Sequence, residues 1–295
     1  MHKTVITIVS GRPEGLTAEL EKKALSAVKS LGVDALQTEY LQPKKALDIL
    51  LLDQNVVLTA QLRQKLAGLE GCDIFVQPND VFRKKKLLVA DMDATIIRQE
   101  TLDELARHFN LQDKIIPITE KAMRGEIDFQ EALRMRVRML KGLPLSALYD
   151  TLKKVEFSTG ADVLVKTMNR AGGRCVLISG GFDIFTGHVA ATLGFYKNIG
   201  NRLEIDNGAL TGEVIPPIVD KTVKEQTVRQ EAKALGIDMA QVMAVGDGAN
   251  DIPMLKVAGV GVGYFGKPAV VEATPFQVRH TDLTSLLYMQ GLKPA

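Results

Sequence analysis

Three short apolar runs constrain this chain most: residues 87–90 (Leu-Leu-Val-Ala), 175–178 (Cys-Val-Leu-Ile) and 242–245 (Val-Met-Ala-Val). None alternates with polar residues, and each ends on groups that can do chemistry: Asp91, Ser179 and Gly246-Asp247 respectively. A strand apolar on both sides suits a sheet covered on both faces, as when helices sandwich parallel strands. Ligands of such sheets bind beyond the carboxyl ends of the strands, so the three polar clusters are expected to meet in one crevice.

Between the first two runs lies a long helical stretch, with Leu102, Leu105, Ala106 and Phe109 on one face and Phe129, Leu133, Val137 and Leu140 on another. It reads as a helical cap inserted into an α/β core. Thr101 with Glu104 three residues on predicts a capping box that opens the first cap helix. Residues 202–210 predict a hairpin turning at Asn207-Gly208, a pair that accepts the positive φ of a type I′ turn.

The N-terminal part follows another rhythm. Residues 4–9 are β-branched, Leu20, Ala24, Val28 and Leu31 share a helix face, and strand-like runs at 36–41 and 46–52 follow. A helix carrying Leu58, Leu62, Leu66 and Leu69 and a last run at 72–77 complete βαββαβ, the order of a ferredoxin-like α+β sandwich. The loop at 11–16 (Gly-Arg-Pro-Glu-Gly-Leu) resembles the first loop of ACT-type regulatory modules, with Arg12 and Glu14 where those often carry an Asp. Such modules often pair, which makes a homodimer the expectation. The basic run at 83–86 (Arg-Lys-Lys-Lys) reads as the solvated face of a linker and not as a nucleic-acid site. The expected division is an ACT-like domain at 1–82, an α/β core at 83–100 and 158–295, and a helical cap at 101–157.

Composition excludes some classes of function. Lys+Arg 37 against Asp+Glu 35 leaves a net charge of +2, so no global field draws the chain to nucleic acid or an acidic membrane. No apolar run approaches the roughly 18 to 20 residues of a membrane span. The start leads into a strand pattern and not a signal-peptide core, so a cytoplasmic location is expected. Cys72 and Cys175 follow no disulfide or metal spacing and read as buried thiols, and the 4 histidines are scattered without ligand spacing.

Asp91 and Asp93 follow one buried strand, and Asp247 and Asp251 follow another within Gly-Asp-Gly-Ala-Asn-Asp. Carboxylates converging at one sheet edge suit Mg²⁺, which also takes a substrate phosphate oxygen. Phosphate itself needs donors and cations: Ser179, the amides of Gly180 and Gly181, and Lys224 can supply them. Together, residues 91–95 (Asp-Met-Asp-Ala-Thr), Ser179, Lys224 and residues 246–251 resemble the haloacid-dehalogenase (HAD) phosphatase superfamily, most closely its phosphoserine phosphatases. The likeness extends over about residues 87–285, through Glu100, 122–125, Phe129, 133–136, 179–183 and 201–203. Ala94 departs from it, standing where that family usually has Ser.

The resemblance implies a HAD-like Rossmannoid sheet and a reaction in which Asp91 forms an aspartyl-phosphate while Asp93 acts as general acid and then base. Asp93 must start protonated, and the charges of Asp91 and the phosphate are expected to raise its pKa. Mg²⁺ would be held by Asp91, the Asp93 carbonyl and Asp247, with Asp251 ordering its waters or Lys224, and with Thr95 and Asn250 supporting the phosphate. In the cap, Arg136 lies seven residues past Phe129, a charge on an apolar face that a substrate carboxylate would satisfy. Glu100 could pair with an ammonium group; one acid and one arginine complement an α-amino acid. Met123 and Phe129 would shield the closed pocket by resemblance.

These residues point to phosphoserine hydrolysis, the last step of serine biosynthesis, with serine feedback through the N-terminal module as a natural hypothesis. Two readings stay open: a HAD phosphatase or phosphotransferase for another small phosphate monoester, and an amino-acid sensor using the core as scaffold. A kinase would need a Gly-x-x-x-x-Gly-Lys-Ser/Thr loop, which the sequence lacks.

Overall fold

Seven strands order as β11-β10-β9-β5-β6-β7-β8 and four as β2-β3-β1-β4, two separate sheets. The computed structural model describes residues 4–33, 35–52, 56–123 and 126–294, with the side chains of Leu36, Val56 and Met123 outside the description.

The smaller sheet holds β1 (Thr4–Ser10), β2 (Ala35–Gln42), β3 (Ala46–Leu51) and β4 (Cys72–Pro78), interleaved with α1 (Ala18–Lys29) and α2 (Val56–Leu66). All its pairings are antiparallel, as the βαββαβ order implies. Ile6, Ile8, Leu47 and Ile49 pack with Leu20, Ala24 and Val28 of α1 and Leu58, Leu62 and Leu66 of α2. The other face is covered as well. Val9, Ala46 and Phe75 join the hydrophobic cluster that contains Leu283, Leu287 and Met289, which explains why β1 shows no polar alternation.

Polar bonds complete that seam. Asp73 accepts from the amides of Arg279 (2.8 Å) and His280 (3.2 Å) and from the Thr281 hydroxyl. Gln77 Nε2 donates to Met289 O, and a Cβ on Gly11 would lie 1.8 Å from His280 O. Here the expectation of a solvated basic run holds for Lys84 and Lys86, which are exposed, and fails for Arg83 and Lys85. Arg83 pairs with Asp48 at 2.7 Å and donates from Nε to Met289 O at 3.0 Å. Lys85 is buried, its Nζ donating to the carbonyls of Phe82 (2.7 Å) and Ala240 (2.8 Å). A buried charge needs such partners, and apart from Phe82 theirs are far away in sequence.

In the larger sheet β5 (Leu87–Ala90), β6 (Arg174–Phe182), β7 (Lys197–Asp206), β9 (Val242–Gly246), β10 (Val260–Tyr264) and β11 (Phe276–Val278) run parallel, and β8 (Ala209–Ile215) folds back on β7. Ala90 lies opposite Leu177 and Val245, so Asp91, Ser179 and Asp247 emerge at one sheet edge as expected. Asn207 (φ 48°) and Gly208 (φ 77°) make the β7–β8 turn in the left-handed region. Five helices flank the strands: α7 (Ala161–Arg170), α8 (Asp183–Leu193), α9 (Lys221–Leu235), α10 (Ile252–Val257) and α11 (Pro268–Ala273), with α12 (Ser285–Tyr288) near the chain's end. Cys72 and Cys175 are both buried thiols.

The inserted cap is α3 (Thr101–His108), α4 (Gln112–Met123), α5 (Phe129–Arg138) and α6 (Leu145–Leu152). It rests on the hairpin, where Leu145 N donates to Gly208 O at 2.9 Å and Leu210 N to Leu143 O at 2.8 Å. The capping box at Thr101 does not form. Thr101 is the first helical residue, Glu100 is the N-cap without a side-chain cap bond, and the Thr101 hydroxyl turns instead to Asp93.

Candidate active site

Lys224 sits one turn into α9, whose start is fixed by Asp220 accepting from the amides of Thr222 (2.9 Å) and Val223 (3.1 Å). Its buried ammonium donates to Asp91 Oδ1 and Asp251 Oδ1, both at 2.6 Å. Asp251 is held on its other side, Oδ2 accepting from the amides of Asp247 (3.1 Å) and Gly248 (3.0 Å). A Cβ on Gly246 would come within 2.4 Å of that oxygen, which is why glycine ends β9. Burial would push the Lys224 ammonium down, but the carboxylates of Asp251 and Asp91 outweigh it and hold its pKa above the ordinary lysine value. Burial, and then the Asp251 charge, push the Asp91 carboxyl well up against the pull of Lys224.

That balance tests whether a cation fits. Asp91, Asp247 and Asp251, all buried, can each offer a carboxylate oxygen within 4.8 Å of the others; one buried ammonium, Lys224, answers Asp91 and Asp251, and the half-exposed Lys267 answers Asp247. Three hard oxygen donors with excess negative charge fit a small divalent ion. The carboxylate of Asp93 lies outside this cluster, and Asp251, expected to act indirectly, is in it.

Asp93 is the other kind of carboxyl. Thr101 Oγ1 donates to its Oδ2 at 3.1 Å, while Oδ1 is buried without a partner among the described residues. Burial, then the charge of Glu100, push its pKa to about 8. Glu100, on the cap side, is a charge the sequence reading did not foresee here; the expected repulsion between Asp91 and Asp93 is present as well and helps raise Asp91.

Around these groups is a cavity of about 440 Å³ lined by Asp91, Asp93, Glu100, Phe129, Arg136, Ser179, Gly180, Gly181, Asp247, Asn250 and Lys267, among others. Ser179 is buried, and its Oγ accepts from Gly181 N at 2.8 Å, so that amide is already engaged. Both glycines sit in tight surroundings: a Cβ on Gly180 would lie 3.1 Å from the Phe129 ring, and one on Gly181 3.0 Å from Asp93 Oδ2. Asn250 Nδ2 reaches Asp251 Oδ1 at 3.5 Å, and the buried Thr95 hydroxyl has no partner among the described residues. Ala94 adopts φ 51°, a left-handed turn directly after the two aspartates. Met123 ends α4, but its expected shielding role falls on a side chain outside the description.

Arg136 and Glu100 face the cavity from the cap and the cap entrance. Arg136 donates Nε to Ala132 O at 3.2 Å and forms no ion pair among the described residues. Glu100 is paired, and with a residue the sequence reasoning missed: Lys267 Nζ lies 3.5 Å from Glu100 Oε1 and 3.0 Å from Asp247 Oδ2. Phe265 (φ 45°) turns the chain after β10, and Lys267 N donates to Asp247 O at 2.8 Å, which aims the side chain. A signal was present in the sequence, since the strand-like run at 260–265 (Val-Gly-Val-Gly-Tyr-Phe) is followed, after Gly266, by Lys267.

Known proteins share this arrangement. The model of the haloacid dehalogenase-like hydrolases matches residues 88–256. A phosphoserine phosphatase of Archaeoglobus fulgidus is 40% identical over 231 residues, covering 77% of this chain and 67% of that protein. One of Saccharomyces cerevisiae is 33% identical over 302 residues, covering 99% and 97%. A HAD family hydrolase of Salmonella enterica superposes with a TM-score of 0.85 at 29% identity, over 97% of this chain and 98% of that one. No helix among the described residues is long and apolar enough to cross a membrane. With two carboxyls of opposite character at one sheet edge, and relatives of this identity along nearly its whole length, the chain belongs to the haloacid dehalogenase-like hydrolases and, among them, to the phosphoserine phosphatase family.

Proposed function

We propose that this protein hydrolyses O-phospho-L-serine to L-serine and phosphate, as the names of its relatives state for them. One observation carries the reading: Asp91, gripped by a buried ammonium, and Asp93, buried with a free oxygen and a pKa near 8, line one cavity with Arg136 and Glu100.

Asp91 attacks phosphorus in line and becomes an aspartyl-phosphate; the ester P–O bond breaks, and Asp93 gives its proton to the leaving serine oxygen. The resulting Asp93 carboxylate then takes a proton from the water that attacks the aspartyl-phosphate, regenerating both groups. Lys224 holds Asp91 and balances charge on the phosphate, which Ser179, the amide of Gly180 and Asn250 bind with the support of Gly181 and Thr95. Asp91, Asp247 and the main chain of Asp93, with Asp251 in support, would hold magnesium, which when bound would supply Lewis-acid charge for the phosphoryl oxygens. Arg136 takes the substrate carboxylate and Glu100 its ammonium, and Phe129 with Met123 closes the pocket against water. We place the reaction in the cytoplasm, assign residues 101–157 to the cap and 1–82 to the ACT-like module, and keep serine feedback and pairing of that module as part of the proposal.

The test is phosphate release from L-phosphoserine with magnesium and with EDTA, for the wild type and Arg136→Ala. Release should require the metal, and Arg136→Ala should lose about 10- to 100-fold in kcat/KM, the worth of a charge-assisted pair. Equal wild-type rates on sugar phosphates would refute the amino-acid pocket.

A further inference from the structure

The two groups that would read an amino acid are not equally ready for one. Among the described residues Arg136 has no ion pair, and its guanidinium lines the cavity. Glu100 already has a counter-ion, Lys267, on a half-exposed side chain that also touches Asp247. A substrate lacking a carboxylate leaves Arg136 unanswered. A substrate lacking an ammonium leaves Glu100 as it was, paired within the protein.

We propose that the site also hydrolyses phosphate monoesters of hydroxy carboxylic acids that carry no amino group, and that Lys267 is the residue that admits them. The inference rests on the reading above for the pocket and its chemistry. The step is the same hydrolysis: the P–O ester bond breaks as Asp91 bonds to phosphorus, Asp93 protonates the leaving alkoxide, and water completes the phosphate. Only the substituent beside the carboxylate differs. Without Lys267, a substrate with no ammonium would close the pocket over an unpaired carboxylate, and leaving such a group unmatched is penalised by about tenfold or more in binding. With Lys267 in place, that penalty is absent. The ammonium of phosphoserine must instead share Glu100 with Lys267 or displace it, so discrimination in favour of the amine is blunted.

The experiment compares O-phospho-L-serine, its analogue with hydroxyl in place of the ammonium, and the analogue with hydrogen there, all at saturating magnesium so that the Lys267 contact with Asp247 does not limit the rate. The wild type is expected to hydrolyse all three. Lys267→Met should lower kcat/KM for the two amine-free substrates by about tenfold relative to phosphoserine, through KM. Lys267→Arg should restore the wild-type ratio. In a Glu100→Gln background, Lys267→Met should leave the ratio unmoved, because no carboxylate remains to be stranded. An unchanged ratio in Lys267→Met, the same shift in the Glu100→Gln background, or hydrolysis of phosphoserine with neither analogue would overturn the inference. Hydrolysis of the analogues without phosphoserine would overturn the proposed function and leave the inference standing.

Discussion

Two charged clefts of the protein hold their charges differently, one in the open and one buried. The N-terminal one, about 730 Å³, is lined by Arg12, Glu14, Glu19, Lys23 and Glu70. Its charges pair in the open: Arg12 with Glu14 at 2.5 Å (side chains 39% and 46% exposed) and Lys23 with Glu19 at 2.8 Å (66% and 76%). In the smaller cleft Lys224, Asp91 and Asp251 are 1%, 5% and 0% exposed, and carboxylates outnumber ammonium groups. Exposed pairs contribute about 0–1 kcal/mol, whereas breaking a buried one costs about 3–5 kcal/mol. Size does not mark the chemical site. An excess of one charge held under low dielectric does, because only a ligand or a reaction can answer it.

Four substitutions test that contrast. Asp91→Asn should abolish phosphate release by on the order of 10⁴-fold or more, yet the metal-free variant should unfold no more easily than the wild type, since one surplus carboxylate is gone and Lys224 keeps Asp251. A large fall in its melting temperature would mean that the cluster is not overcharged. Lys224→Met strands two buried carboxylates, Asp91 and Asp251, and should cost about 3–5 kcal/mol in denaturant unfolding as well as activity; wild-type stability would erase the distinction between the clefts.

A smaller effect is expected in the pH profile. Asp93 must be protonated to serve the leaving group, and its raised pKa means it is protonated below about 8 in the metal-free chain. Phosphorylation of Asp91 should therefore fail as pH rises through that carboxyl's pKa, with bound cation moving the limb lower. Glu100→Gln removes the charge that helps raise it and should shift the limb further down; a limb that does not move would mean Glu100 leaves Asp93 untouched. Smallest of all, Arg12→Ala should change stability by no more than about 0.5 kcal/mol. A loss like that of Lys224→Met would show the two clefts to be alike.

What could be read from the sequence was whatever has a period or a neighbour. The unalternating runs before Asp91, Ser179 and Asp247 placed the parallel sheet and its active edge, because burial on both faces leaves no room for polar positions. Asn207-Gly208 gave the hairpin for a similarly local reason. Misreadings arose where the partner was remote. Thr101 looked like a cap, but its hydroxyl is claimed by Asp93 on the neighbouring loop. Arg83 and Lys85 looked solvated because Asp48, Ala240 and Met289 lie far along the chain.

The seam behind the sheet decides how the two halves can communicate. Hinges form where few bonds cross a joint, letting domains swing about a handful of residues. This joint is riveted through Asp48, Asp73, Gln77 and Arg83 to the segment at 276–290, which also carries strand β11 of the catalytic sheet. Bonds this numerous leave the two halves little freedom to change their angle. The route they offer from the N-terminal sheet to the catalytic one runs through the shared segment, from β11 to its neighbour β10 and the Lys267 turn, and carries stiffness in place of displacement.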